Sequence, residues 1–251
     1  MSENLRIERQ GRVLRLTLDR PDKRNALNLA LCRDLVSAMQ EGLSDDAIGA
    51  ILLASEGKSF CAGMDLSEML NPEARPASRI HEQLFTLGAR MTKPVVAAVQ
   101  GAALAGGMGL VANAHVAVAA EDATFGLTEI RIGLWPFVVF RAVVAAVGER
   151  HAVELALSGR TFDAGEAVSF GLVHQVVAAD QLDQCSFEIA DALANSSPEA
   201  VRSGLLFVAE TRNLDWKRAG EIAWRFRERL FRSADFAEGL RAFQEKRKPR
   251  W

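Results

Sequence analysis

The chain has 251 residues, with 30 Lys and Arg against 32 Asp and Glu, so its formal net charge is -2. Hydrophobic residues make up 49% of it and charged residues 25%, which excludes disordered and fibrous proteins and predicts a globular protein with a full core. A nearly neutral chain lacks the global positive potential that attracts nucleic acids, so we expect no nucleic-acid partner.

Cysteine content and the terminal sequence narrow the class further. Three cysteines are an odd number, and they include no C-x-x-C pair, so the sequence predicts neither a disulfide scaffold nor a metal site. The first residues, MSENLRIERQ, lack the apolar segment of a secretory signal, and no apolar run approaches the length of a membrane span. We therefore expect a cytoplasmic protein with no membrane partner.

Predicted strands and helices alternate along the first part of the chain. Apolar runs of five to seven residues predict strands, and longer runs with apolar residues three and four apart predict helices. Strands this apolar are typical of a sheet covered by helices on both faces. The fold class is therefore predicted to be α/β. In chain order the predictions are strand 13–18, helix 29–41, strand 50–55, helix 79–91, strands 94–100 and 116–120, and helices 137–147 and 149–157.

After about residue 180 the pattern predicts helices only. In the predicted helix 215–231, apolar residues recur every three or four positions, from Trp216 to Leu230. We expect this helical tail to pack against another subunit. The predicted organisation is a core at 1–195 followed by a helical region at 196–251.

Glycines are concentrated in GAALAGGMGLVA (101–112). Gly107, Gly109 and Ala112 match the G-x-G-x-x-A pattern of dinucleotide-binding proteins, but seven residues separate the first of these glycines from the strand residues 95–99, which argues against that site. Alternatively, the loop presents backbone N–H groups to an oxygen that becomes negative during a reaction, forming an oxyanion hole. The segment SFCAGMDL (59–66) provides a second such turn. From the residues alone, glycine turns needed only for tight packing remain an equal alternative.

Six segments resemble the enoyl-CoA hydratase/isomerase family, also called the crotonase family. The resemblance implies a ββα superhelix with a C-terminal helical trimerisation region, a homotrimer or a dimer of trimers, and an acyl-CoA thioester substrate. It implies no cofactor beyond the coenzyme A of the substrate. The segments are RPDKRNALN (20–28), GKSFCAGMDLSEM (57–69), KPVVAAVQGAALAGGMGL (93–110), AEDATFGLTEIRIGLWP (120–136), LSGRTFDAGEAVSFGLVHQVV (157–177) and FQEKRKP (243–249).

The resemblance also implies which residues act. The N–H groups of Met64 and Gly106 would bind the thioester enolate oxygen, and Glu129 would transfer protons. Asp65 is also predicted to cap a helix beginning near Ser67. The implied substrate-binding residues are Lys23, Arg24, Ala26, Leu27, Ala62, Asp65, Leu66, Gly107 and Trp135.

Hydratases of this family use two glutamates, and this chain matches only one. Glu129 matches the second glutamate, whereas Gly109 stands at the position of the first. Hydration by the usual route needs both carboxylates to hold a water, but one carboxylate is enough to move a proton between C2 and C4 of a dienolate. We therefore expect Δ3-Δ2 isomerisation. A hydratase with another water-activating group, or a non-catalytic acyl-CoA-binding protein, remain the alternatives.

Apolar residues near Glu129 predict a dry pocket. Burial among them would raise the pKa of the Glu129 carboxyl group. Bulky residues also replace a glycine-rich stretch of many hydratases, so we expect them to reshape the acyl end of the pocket. The residues predicted around Glu129 are Phe125, Leu127, Ile130, Leu134 and Trp135, and the bulky replacements are Trp135, Phe137 and Phe140.

Overall fold

The computed structural model describes residues 4–70 and 79–251, and in this part the chain forms nine strands and eleven α-helices. The strands are β1 (Leu5–Gln10), β2 (Val13–Leu18), β3 (Ala50–Ser55), β4 (Val95–Val99), β5 (Ala102–Leu104), β6 (Val116–Ala120), β7 (Thr124–Gly126), β8 (Thr161–Asp163) and β9 (Gln175–Val177). The helices are α1 (Leu29–Ser44), α2 (Leu66–Met69), α3 (Arg79–Leu87), α4 (Gly106–Asn113), α5 (Phe137–Val147), α6 (Glu149–Ser158), α7 (Ala164–Ser169), α8 (Leu182–Ala194), α9 (Pro198–Thr211), α10 (Trp216–Phe231) and α11 (Ala234–Gln244).

The main sheet has six strands in the order β1-β2-β3-β4-β6-β9. Strands β1 and β2 form an antiparallel hairpin, and every other neighbouring pair is parallel. Parallel pairs need a crossover, and helices supply several of these connections, as in the step from β2 through α1 to β3. The predicted α/β class is confirmed.

Helices cover both faces of the main sheet. On one face, alternate residues of β3, β4 and β6 pack against Leu182, Ala190 and Ala194 of α8. The intervening residues of the same strands face the larger core, which includes α1, α3, α4 and α5. Burial on both faces explains why these strands are apolar throughout.

A smaller sheet lies beside the first, in the order β5-β7-β8. Isolated backbone β-bridges connect this region to the segment after β3. Ser59 pairs with Gly101, and Cys61 pairs with Ala103. Strand β5 then leads through Ala105 directly into α4. Two glycine-containing loops that are far apart in the sequence therefore lie side by side.

The predicted strands at 13–18, 50–55 and 116–120 have the observed bounds. The helix predicted over 79–91 is shorter, because α3 ends at Leu87 and a 3-10 helix follows over Gly88–Arg90. The division at residue 195 stays a prediction. Across the described part of the chain, no helix combines the length and the hydropathy needed to cross a membrane.

Candidate active site

One cavity brings together seven of the residues predicted for the site. It lies between α3, α5, the loop before α2 and the start of α4. Its walls are mostly apolar, and Glu129 is the carboxylate in its lining. The seven predicted residues that line it are Leu27, Ala62, Met64, Leu66, Gly106, Glu129 and Trp135.

The N–H group of Met64 is available to a ligand. Leu27 pairs with the two residues that flank Met64. The Leu27 N–H donates to the Gly63 carbonyl at 2.7 Å, and the Leu27 carbonyl accepts from the Asp65 N–H at 3.0 Å. In parallel pairing, the residue between two such partners directs its own N–H to the opposite side. Within residues 4–70 and 79–251, no group accepts a hydrogen bond from the Met64 N–H.

The N–H group of Gly106 is available for a different reason. Gly106 is the first residue of α4, and the first N–H groups of a helix have no partner within it. Ala105 directs this group, because it adopts φ 51° and ψ -116°, a conformation that costs a non-glycine residue about 1–3 kcal/mol. Two hydrogen bonds hold Ala105 there, from its N–H to the Gly126 carbonyl at 2.8 Å and from the Gly109 N–H to its carbonyl at 3.0 Å.

Gly63 allows the two loops to come into contact. A Cβ atom added to Gly63 would lie 2.8 Å from the Ala105 Cβ and 3.4 Å from the Gly106 nitrogen, and its φ of 96° also favours glycine. The Met64 and Gly106 N–H groups therefore lie on adjoining backbone segments that line one cavity. This arrangement has the features of an oxyanion hole.

Glu129 begins a 3-10 helix over Glu129–Ile132 and is half-buried. Its Oε2 atom is buried and has no hydrogen-bond partner in the described part of the chain. Burial raises the pKa of the Glu129 carboxyl group, and a hydrogen bond from its own backbone N–H offsets part of this effect. A carboxylate whose pKa is raised, and whose Oε2 has no partner among the described residues, is a suitable proton acceptor for a substrate in the cavity.

No side chain could occupy the position of Gly109 without displacing its neighbours. A Cβ atom there would overlap Val139 of α5, at 2.8 Å from the Val139 Cβ, and would lie 2.9 Å from Phe85 Cε1 of α3. Two apolar side chains therefore fill the space next to Gly109, the position at which the resemblance places the first glutamate of hydratases.

Sequence reasoning missed a group of residues that line the cavity. His81 on α3 is buried, and its Nε2 lies 3.5 Å from the Leu27 carbonyl oxygen. The helical spacing of His81, Leu84 and Phe85 indicates a buried face but does not reveal what that face borders. The missed lining residues are His81, Phe85, Ala105, Thr128, Ile132, Pro136, Val138 and Val139.

The cavity contains two of the three predicted bulky residues in its lining. Trp135 and Phe137 line it, and Phe140 packs behind Trp135 with ring centroids 5.4 Å apart. Of the five residues predicted around Glu129, Leu134 and Trp135 line the cavity. The expectation was wrong for the other three: Phe125 and Leu127 are fully buried in the core, and Ile130 is directed toward Gly159.

Five of the proposed substrate-binding residues do not line this cavity: Lys23, Arg24, Ala26, Asp65 and Gly107. Lys23 and Arg24 are exposed beside the 3-10 helix Pro21–Lys23. Asp65 caps α2 by accepting from the Ser67 N–H at 3.2 Å, and it also pairs with Arg20. Gly107 packs against the backbone of Cys61.

Cys61 is fully buried, and burial raises the pKa of its thiol to about 12. It is therefore a packing residue between the two loops. In residues 4–70 and 79–251, no group of three His, Cys, Asp or Glu side chains is arranged to hold a metal ion.

Comparison with known proteins places nearly the whole chain in one family. The family model described as enoyl-CoA hydratase/isomerase matches residues 8–251. Mevalonyl-coenzyme A hydratase of Aspergillus fumigatus is 36% identical over 246 residues, which cover 95% of this chain and 91% of that protein. Enoyl-CoA hydratase EchA19 of Mycobacterium tuberculosis is 35% identical over 252 residues, covering 97% of this chain and 94% of the relative.

Solved structures agree with these sequence matches. The enoyl-CoA hydratase of Mycobacterium smegmatis superposes with a TM-score of 0.94 at 32% identity, covering 100% of this chain and 99% of the other. The enoyl-CoA hydratase of Bacillus anthracis has a TM-score of 0.94 at 30% identity, with 99% of each chain covered. The fold is that of the crotonases, and the chain belongs to the enoyl-CoA hydratase/isomerase family of enzymes that act on acyl-CoA thioesters.

Proposed function

We propose that this enzyme moves the double bond of an enoyl-CoA between the Δ3 and Δ2 positions. The Glu129 carboxylate takes a proton from C2 of a 3-enoyl thioester. The resulting negative charge spreads over a dienolate whose thioester oxygen accepts hydrogen bonds from the Met64 and Gly106 N–H groups. Protonated Glu129 then returns the proton to C4, so one carboxylate performs both steps and no external acid, cofactor or metal takes part.

The single carboxylate in the described lining of the cavity is the observation that carries this proposal. Glu129 Oε2 has no partner among the described residues, and the space beside Gly109 is filled by Val139 and Phe85. A hydratase of the usual kind needs a water held between two carboxylates. The lining supplies one carboxylate and apolar walls, which suits transfer of a proton within the substrate.

The test is to supply the purified enzyme with a 3-enoyl-CoA and, separately, with the 2-enoyl-CoA of the same chain length. We expect isomerisation of the first and negligible hydration of the second. Rapid hydration of the 2-enoyl-CoA without isomerisation of the 3-enoyl-CoA would overturn the proposal. Tight thioester binding without turnover of any substrate would instead identify a non-catalytic binding protein.

A second candidate is hydration, which the names of the relatives favour, since the two described above are called hydratases. Another group would then have to position the water. His81 is the further titratable side chain in the described lining of the cavity. A His81→Gln variant that loses hydration while it keeps isomerisation would support this candidate.

We also propose a homotrimer, alone or paired as a hexamer. Helices α10 and α11 expose large aromatic side chains, and such surfaces are typical of subunit interfaces. Light scattering during size-exclusion chromatography tests the assembly state, and a monomer at micromolar concentration would contradict it. The exposed aromatic residues are Trp216, Trp224, Phe231, Phe236 and Phe243.

The cytoplasm remains the proposed compartment. Cys32, Cys61 and Cys185 are free thiols, which suits a reducing environment. Cell fractionation followed by detection of the native protein tests this location.

A further inference from the structure

A second cavity adjoins the proposed active site. Phe85, Phe137 and Val138 line both cavities and form the wall between them. Phe137 and Val138 are exposed, at 74% and 41% of their surface. An acyl chain that leaves the first cavity across these side chains would enter the second.

Along α3 and α5, the surface changes from apolar in the first cavity to charged in the second. On α5, Arg141 follows Phe137 by four residues and so lies on the same helix face, one turn of about 5.4 Å further along. On α3, the residues at this spacing are His81 and Phe85, and the 3-10 helix that follows ends at Arg90. Along both segments the lining therefore changes from aromatic to cationic in the C-terminal direction.

Arginine dominates the charge of the second cavity. Arg90, Arg141 and Arg212 line it, against the single carboxylate of Glu82. Within the described ranges, none of the three guanidinium groups forms a hydrogen bond or an ion pair. The excess of positive charge is local, because the whole chain has a net charge of -2. Unpaired guanidinium groups are well suited to bind a carboxylate with two hydrogen bonds.

We infer that the second cavity receives the far end of the acyl chain and that its arginines bind a carboxylate there, so that the substrates include acyl-CoA thioesters with a terminal carboxylate. The inference rests on the proposed function for the direction in which the acyl chain runs. A methyl end in this cavity would leave the guanidinium groups without a partner and would gain little from them. Arg141 is then a specificity-determining residue, because it continues the helix face that Phe137 begins.

Binding of saturated thioesters tests this without requiring turnover. Hexanoyl-, octanoyl- and decanoyl-CoA are each compared by calorimetry with the mono-CoA thioester of the dicarboxylic acid of equal chain length. The two ligands of each pair differ only in the terminal carboxylate. We expect at least one dicarboxylic ligand to bind about tenfold more tightly than its methyl-ended partner. Arg141→Gln should remove this preference, and the preference should decrease as salt screens the charges.

The matched control is Arg150→Gln, which removes the same charge from an exposed position on α6 that does not line the cavity. It should keep the preference. If Arg141→Gln fails to fold, Arg90→Gln and Arg212→Gln provide the same comparison. Equal binding of both ligands at every length would overturn the inference. Equal weakening of both ligands by Arg141→Gln would also overturn it, because the arginine would then bind the phosphates of coenzyme A.

Failure of this inference is distinguishable from failure of the proposed function. A carboxylate preference without isomerisation would refute only the proposed reaction. Isomerisation without a carboxylate preference would refute only the role of the second cavity.

Discussion

Val139 of α5 stands where a side chain at Gly109 of α4 would extend, with its Cβ 2.8 Å from the position of a Cβ added to the glycine. The two helices therefore approach closely beside the proposed active site. This contact connects the missing carboxylate with the bulky α5 sequence, because a large residue at position 139 requires a small one at position 109.

The first prediction is that Gly109→Glu does not create a hydratase. The new side chain must displace Val139 or Phe85, and overpacking of this kind costs about 1–3 kcal/mol. Chemical denaturation should show a lower free energy of unfolding, and assays with 2-enoyl-CoA should show no gain in hydration. Adding Val139→Ala should recover part of the lost stability. A fully stable Gly109→Glu single variant would contradict the observed packing.

The second prediction concerns Glu129 as the proton acceptor. Glu129→Gln removes the basic oxygen while keeping the shape, so kcat for isomerisation should fall by about a hundredfold or more. Affinity for a saturated acyl-CoA should change little. Glu121→Gln, in the exposed turn after β6, is the control and should keep full activity. Unchanged turnover by Glu129→Gln would identify the wrong base.

The third prediction follows from the raised pKa of Glu129. The folded protein binds this proton more tightly than the unfolded chain, so the carboxyl group contributes stability below the unfolded pKa, and this contribution is lost as pH rises through the folded pKa. Glu129→Gln should therefore be more stable than the wild type at neutral pH, and this advantage should shrink in acid. Thermal unfolding at several pH values measures it. An advantage that grew in acid would contradict the direction of the shift.

The raised pKa of Glu129 also sets the acid limb of the pH–activity profile. Because the carboxylate form is the base, kcat/KM should rise with pH through a pKa above the ordinary glutamate value of about 4.3. A limb at or below that value would show that burial does not control the ionisation of Glu129.

Fold and site differ in how much of them the sequence predicts. Strands such as β3 are recognisable because burial on both faces leaves only apolar residues. The short strands β5, β7 and β8 have three residues each, too few for a pattern to emerge. Met64, Gly106 and Glu129 could be proposed only through the family resemblance, since their own residue types do not distinguish them from turn residues.

His81 and the second cavity could not be predicted for a different reason. A buried histidine on an amphipathic helix has the same spacing as any core residue. Phe85 meets the α5 residues Phe137 and Val138 at the cavities because of how α3 packs against α5. No local sequence pattern encodes the distance between two helices. Arg141 is likewise indistinguishable in sequence from a surface charge.

The fourth prediction separates the Met64 backbone from its side chain. Met64→Ala keeps the N–H group and should retain most of the activity. Met64→Pro removes the N–H donor and should lower kcat by about 10²–10³-fold, the usual loss for one oxyanion-hole donor. Assays of both variants after confirmation of their folding by circular dichroism test this. Equal activity of the two would exclude the Met64 N–H from the reaction.

The fifth prediction is that His115 limits stability in acid. Its Nδ1 accepts a hydrogen bond from the Val95 N–H at 3.0 Å, and burial, with a smaller effect from Arg212, lowers its pKa. The unfolded state then binds more protons, so the free energy of unfolding should fall as pH drops below about 6.5. His115→Asn should flatten this fall, whereas His151→Asn should not. Identical acid unfolding of both variants and the wild type would contradict it.

The backbone of Ala105 has a consequence for any molecule that enters the cavity. The ψ angle of Ala105 fixes the orientation of the next amide, and its hydrogen bonds to Gly126 and Gly109 keep that angle in place before a ligand arrives. The peptide dipole at Gly106 is therefore held in one orientation before a ligand arrives, and in the proposed reaction no reorientation would delay the moment at which charge develops. Thioesters and simple esters would experience the same field, so discrimination between them must come from the groups that hold the coenzyme and the tail.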